Sequence, residues 1–161
     1  MVDKKRRKKI NWKAFVTSFI LVYFVAFIGS IFTSTNTKSA WYESIKPALT
    51  PPSIVFPIVW NILFFLIAVS LYLCWINSKG KEEKIAVSTV FGVNFILNIL
   101  WSILYFAMKN PRLAFFDIIL LLVSIALMLI LSWKINRKSF WLLIPYFVWV
   151  CFASILNWLS V

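Results

Sequence analysis

Five long apolar stretches leave this chain few ways to fold. A helix rising about 1.5 Å per residue needs roughly 20 mostly apolar residues to cross the hydrocarbon of a bilayer. Segments of that kind run from about Trp12 to Phe32, Ile54 to Ile76, Ile85 to Met108, Leu113 to Trp133 and Ser139 to Trp158. Lipid offers no partners to exposed backbone groups, so such segments are expected to be helical. A transmembrane β-barrel would show short alternating segments instead. The expected fold class is therefore all-α, an integral membrane bundle of five transmembrane helices forming a single domain over residues 1–161. Composition agrees: 62% of the 161 residues are apolar and 14% charged, against about half and a quarter in soluble domains.

The net charge of +12 raises the question of nucleic acid. Its distribution argues against that partner. Lys4 through Lys9 form one basic run in a head spanning residues 1–11, and most other cations flank the apolar stretches. No basic face is interleaved with exposed aromatics, as single-strand binding would require. The pattern instead sets topology, with attraction to anionic headgroups as an added role. Counted by side, thirteen Lys and Arg fall with the N-terminus and four with the other face. The N-terminus is thus expected in the cytoplasm, with the first loop and the C-terminus outside. A basic head before an apolar run also fits a signal peptide, but this run is long and no A-x-A site follows, so it is taken as the first span.

Cys74 and Cys151 lie inside apolar stretches and read as small buried hydrophobes, without metal-ligand spacing. No metal site is expected, and the chain has no histidine. Most connections are short. The exception is the loop over 33–53, whose Lys46-Pro47 and Pro51-Pro52 are expected to exclude regular helix. A long stiffened loop of this kind suits a cover over a site.

Six of the nine tryptophans fall at span ends or in the first loop (Trp12, Trp41, Trp75, Trp133, Trp141 and Trp158), as interfacial anchors do. Trp60, Trp101 and Trp149 lie inside spans, all roughly 9–14 Å below the outer surface. Polar residues share that layer. Asn94, Asn98, Trp101 and Tyr105 occupy one face of the third span, and Tyr146, Trp149, Ala153 and Asn157 one face of the fifth. Phe56, Trp60 and Phe64 line up on the second. Asparagine in hydrocarbon faces the bundle interior, where it either bonds between helices or contacts a ligand. Asp117 has the alternative of pairing with Arg112. Together these residues suggest an aromatic-walled pocket for a flat apolar ligand.

Three ordered motifs carry a resemblance. Trp41-Tyr42-Glu43-Ser44-Ile45-Lys46-Pro47, Pro51-Pro52, Phe56 and Val59-Trp60 form the first. Asn98-Ile99-Leu100-Trp101-Ser102 is the second. Pro145-Tyr146, Trp149, Phe152-Ala153 and Leu156-Asn157 form the third. With the five spans, they make the chain resemble the TspO/MBR family, the tryptophan-rich sensory and translocator proteins, over essentially its whole length. The resemblance implies a membrane receptor that binds porphyrins and benzodiazepine-type ligands, with no covalent cofactor. The ligand site it implies comprises Tyr42, Pro52, Phe56, Trp60, Asn98, Trp101, Trp149 and Ala153. Some members are linked to light- and oxygen-dependent porphyrin breakdown, for which Trp60 and Trp149 are the matching catalytic candidates. Transport of a small hydrophobic molecule is a third expectation, although no internal repeat supports it. Members often dimerise, which leaves a homodimer open without locating an interface. Asn157 is followed only by Trp158-Leu159-Ser160-Val161, without the basic residue of the animal sterol-recognition segment, so sterol binding is not implied. A prokaryotic plasma membrane is the expected location.

Overall fold

The computed structural model describes residues 10–161; most of the basic head expected over residues 1–11 lies outside them. Five helices are long and apolar enough to cross a membrane, and they coincide with the five expected segments. Their lengths of 23 to 27 residues correspond to about 35–40 Å. That exceeds the roughly 30 Å of bilayer hydrocarbon.

Helix α1 covers Trp12–Asn36 and starts at Asn11, whose side chain accepts a hydrogen bond from Ala14 N at 3.2 Å. It runs one turn further than expected. Thr33, Thr35 and Asn36 bond back to the carbonyls of Gly29, Ile31 and Phe32, so these polar side chains satisfy themselves along the helix.

The loop that follows is not helix-free. Ala40–Ile45 forms a short helix α2, capped by the Ser39 hydroxyl, which accepts from Tyr42 N at 3.2 Å. The prolines end this helix and do not prevent it. Lys46 is extended, because a residue before proline is driven out of the helical region.

Helix α3 spans Val55–Asn77, and α4 spans Lys81–Ser102. The latter continues through a π-helical turn over Ile103–Ala107, where Met108 N reaches Ile103 O at 2.8 Å. Helix α5 (Pro111–Ile135) begins with proline at its first position, where no N–H is needed. Asn136 alone links it to α6 (Arg137–Leu159). The Asn136 N–H donates to Ser132 O at the end of α5, and its side chain accepts from Lys138 N and Ser139 N at the start of α6.

The spans close into a ring in the order α1–α3–α6–α5–α4, with α4 returning to α1. Val22, Ile67, Phe91, Ile125, Leu143 and Tyr146 fill the interior. Val16, Ile20, Phe24, Phe27 and Ile31 make an exposed apolar stripe on α1, as a lipid-facing surface requires. At the Asn136 end, Ser70 and Cys74 of α3 meet Ser132 of α5 and Ser139 of α6. The Ser139 hydroxyl donates to Ser70 O at 3.0 Å, and Cys74 Sγ lies 3.0 Å from Ser139 Oγ and 3.3 Å from Ser132 Oγ. Cys74 is fully buried in the apolar core, as expected, and its thiol adds weak polar contacts between helices.

Candidate ligand-binding site

The opposite half of the bundle, at the α2 end, holds the residues singled out from the sequence. Its centre is a directed chain of hydrogen bonds through Tyr146, which is fully buried. Asn98 Nδ2 donates to Tyr146 OH at 3.2 Å. That hydroxyl donates to Asn94 Oδ1 at 3.2 Å, and Asn94 Nδ2 donates to Ser124 Oγ at 2.8 Å. Ser124 ends the chain on Leu121 O. One phenol thus ties α6 to two positions on α4, and the Asn94 amide ties α4 to α5. A second link runs nearer the surface. Trp101 Nε1 donates to Asn157 Oδ1 at 2.9 Å, and Asn157 Nδ2 donates to Pro111 O at 2.8 Å.

All three asparagines bond between helices. Asn94 and Asn157 have both ends of their amides committed between helices. Asn98 commits its N–H group to Tyr146.

Aromatic rings form two walls around this chain. On the α3–α6 side, Phe56 meets Trp149 edge-on at 5.9 Å, Trp60 meets Tyr146 at 6.2 Å, and Trp60 stacks on Phe64 at 5.3 Å. On the α2–α4 side, Trp101 stacks on Tyr105 at 5.1 Å, with Phe106 at 5.9 Å. Tyr42 packs on Phe106 at 5.8 Å, and Trp41 on Tyr105 at 5.9 Å. Trp101 packs against both the main core and the smaller cluster around Tyr105 and Phe106. Ala153 borders the main core beside Trp149.

Of the eight expected site residues, Phe56, Trp60, Asn98, Trp101, Trp149 and Ala153 lie on these walls and Tyr42 docks against one of them. Pro52 is exposed on the loop, where its carbonyl accepts from Val55 N at the start of α3. Trp41 also packs within the protein: its ring lies edge-on to Tyr105 and holds α2 onto the π-helical turn that continues α4. The sequence signal for that role was its place beside Tyr42 in one motif. Tyr105, expected on the inward face of the third span, also belongs to the assembly, as do Phe106 and Ser124, which the sequence did not single out. Asp117 does not pair with Arg112. Among the described residues the only ion pair is Lys46 with Glu43, at 2.9 Å.

Two features bear on chemistry. Trp149 Nε1 is buried with no hydrogen-bond partner, and an unpartnered buried donor is costly. In the loop, burial and then the neighbouring Glu43 charge hold the Tyr42 phenol above its ordinary value, so Tyr42 stays a neutral donor. No group of His, Cys, Asp and Glu among the described residues could hold a metal.

The TspO/MBR family model matches residues 18–160. The chain belongs to the TspO/MBR family. Its relatives include the tryptophan-rich protein TspO of Archaeoglobus fulgidus, 36% identical over 92% of this chain and 95% of the relative. The protein of the same name from Bacillus cereus is 33% identical over 91% and 94%. The human translocator protein is 28% identical over 82% and 79%. The family motifs fall on identifiable parts of the fold: α2 with the start of α3, the C-terminal end of α4, and the C-terminal part of α6. All three motifs contribute to the two aromatic walls.

Proposed function

We propose that this membrane protein is a receptor for a flat apolar ligand of the porphyrin or benzodiazepine type, held between the two aromatic walls. The observation that carries the reading is the unpartnered Trp149 indole N–H, buried beside Phe56 in an otherwise apolar wall. A carbonyl or carboxylate on a ligand supplies the acceptor that the described residues do not. Trp60, Phe56 and Trp101 offer ring faces to a planar ligand, since aromatic pairs favour offset or edge-on contact. Asn98 adds a polar contact, and Ala153 leaves space where a larger side chain would fill it. Tyr42 and Pro52 cover the ligand from the loop. With no histidine in the chain, a metal-free porphyrin suits this site better than a haem needing a histidine ligand.

The test is a titration of protoporphyrin IX into the purified protein, following tryptophan emission in the dark. Saturable quenching is expected, weakened about tenfold or more in Trp149→Phe and Trp60→Phe, as loss of a buried contact implies. Unchanged affinity in both variants would remove the site from these walls.

A further inference from the structure

Asp117 lies less than two turns into α5 and is 4% exposed. Both of its carboxylate oxygens are buried, and neither has a hydrogen-bond partner. The polar donors of the relay are already committed elsewhere. Asn98 gives its N–H to Tyr146, Tyr146 gives its proton to Asn94, and Ser124 gives its own to Leu121 O. The Trp101 N–H is held by Asn157. The Trp149 N–H is uncommitted and still does not reach the carboxylate. A carboxyl group in the membrane interior is costly unless something pairs with it. Among the described residues no donor reaches it, and a ligand can supply one.

The position says where that donor comes from. Asp117 shares the buried face of α5 with Leu121 and Ser124, at i, i+4 and i+7, and Ser124 accepts from Asn94 in the same chain as Tyr146, whose ring packs on Trp60 and whose hydroxyl accepts from Asn98. The outer side is closed, because Tyr105 and Phe106 of the π-helical turn pack on Ala114, one turn nearer the surface. We propose that Asp117 accepts a hydrogen bond from a nitrogen-bound hydrogen of the ligand, and that the site selects apolar molecules carrying an ammonium or other N–H group. The inference rests on the location of the site proposed above, and is independent of a porphyrin occupant.

The probes are 4-phenylbutylamine and methyl 4-phenylbutyl ether, which has no hydrogen-bond donor, titrated by calorimetry into the full chain in lipid nanodiscs, with empty nanodiscs subtracted. The amine is expected to bind about tenfold or more tightly than the ether, as a charge-assisted buried bond implies. Asp117→Asn should erase that preference. Infrared difference spectra supply a readout that does not need this variant. The chain has two aspartates, Asp3 and Asp117, so isotope-labelled aspartate in an Asp3→Asn background isolates the Asp117 carboxyl band. That band should move on adding the amine and stay still on adding the ether. Equal binding of the two probes, a preference that survives in Asp117→Asn, or an unmoved band at saturating amine would overturn the proposal; a buried water or a neutral filler role gives those results. A moved band in a protein that fails to bind protoporphyrin IX would leave this inference standing and remove the porphyrin reading.

Discussion

Replacing Tyr146 with phenylalanine tests the hydrogen-bonded core of the site most directly. The change removes one hydroxyl and keeps the ring against Trp60. Two bonds disappear, one from Asn98 and one to Asn94, both 3.2 Å long. Interhelical hydrogen bonds in membrane proteins average about 0.6 kcal/mol and reach about 1.7. A buried polar group left without a partner costs about 1–3 kcal/mol. Asn94 keeps its bond to Ser124, while the Asn98 amide is buried and loses the bond that held its N–H. The expected loss is therefore about 1.5–3 kcal/mol. Reversible unfolding in mixed lipid–detergent micelles, followed by far-ultraviolet circular dichroism, measures it. Combining Tyr146→Phe with Asn94→Ala should cost less than the two changes added, because both break the same chain. A single-variant loss below about 0.5 kcal/mol, or full additivity, would refute the relay as a structural tie.

Two further outcomes follow from the ends of the bundle. The Tyr42 proton is held more tightly when α2 is docked than when it is not, so docking is at full strength below the ordinary phenol value of 10.0 and is lost as pH rises above it. Trp41 emission should report that loosening in alkali, and Tyr42→Phe should flatten it; a profile unchanged by the substitution would contradict the assignment. At the other end, Ser139→Ala should cost roughly 1–2 kcal/mol and speed labelling of Cys74 by a membrane-permeant maleimide. Wild-type labelling rates in the variant would show that the serine cluster does not shield the thiol.

The spans were legible because hydrocarbon imposes a length and an apolar composition that no other feature of the chain imitates. The inward faces of α4 and α6 were legible because Asn94, Asn98 and Trp101, or Tyr146, Trp149 and Asn157, repeat at helical spacing. Pairing between helices was not. Nothing local to Trp101 says that Asn157 accepts its N–H, and nothing local to Cys74 says that Ser132 and Ser139 surround it. Those partners depend on the register of one helix against another, which tertiary packing sets. Helix α2 was misread for a different reason. The prolines after Lys46 were taken to exclude helix, although Ser39 supplied a capping signal just before Ala40. The π-helical turn over Ile103–Ala107 has no evident local signal.

That turn holds one residue more than an α-helical turn would. Removing a single residue there would restore regular α-helix and rotate everything beyond it by about 100°. Asn94, Asn98 and Trp101 precede the turn and would keep their aim. Asn110 follows it. Its N–H is bonded to Leu104 O and its side chain caps α5, so α5 would start in a new direction. The length of this chain can therefore change by one residue at Ile103–Ala107 without disturbing the bonds of Tyr146 to Asn98 and Asn94, but only by re-aiming the helix that carries Ser124 and Asp117. Alignments that place a gap here would mark proteins with a conserved inner face and a different fourth wall.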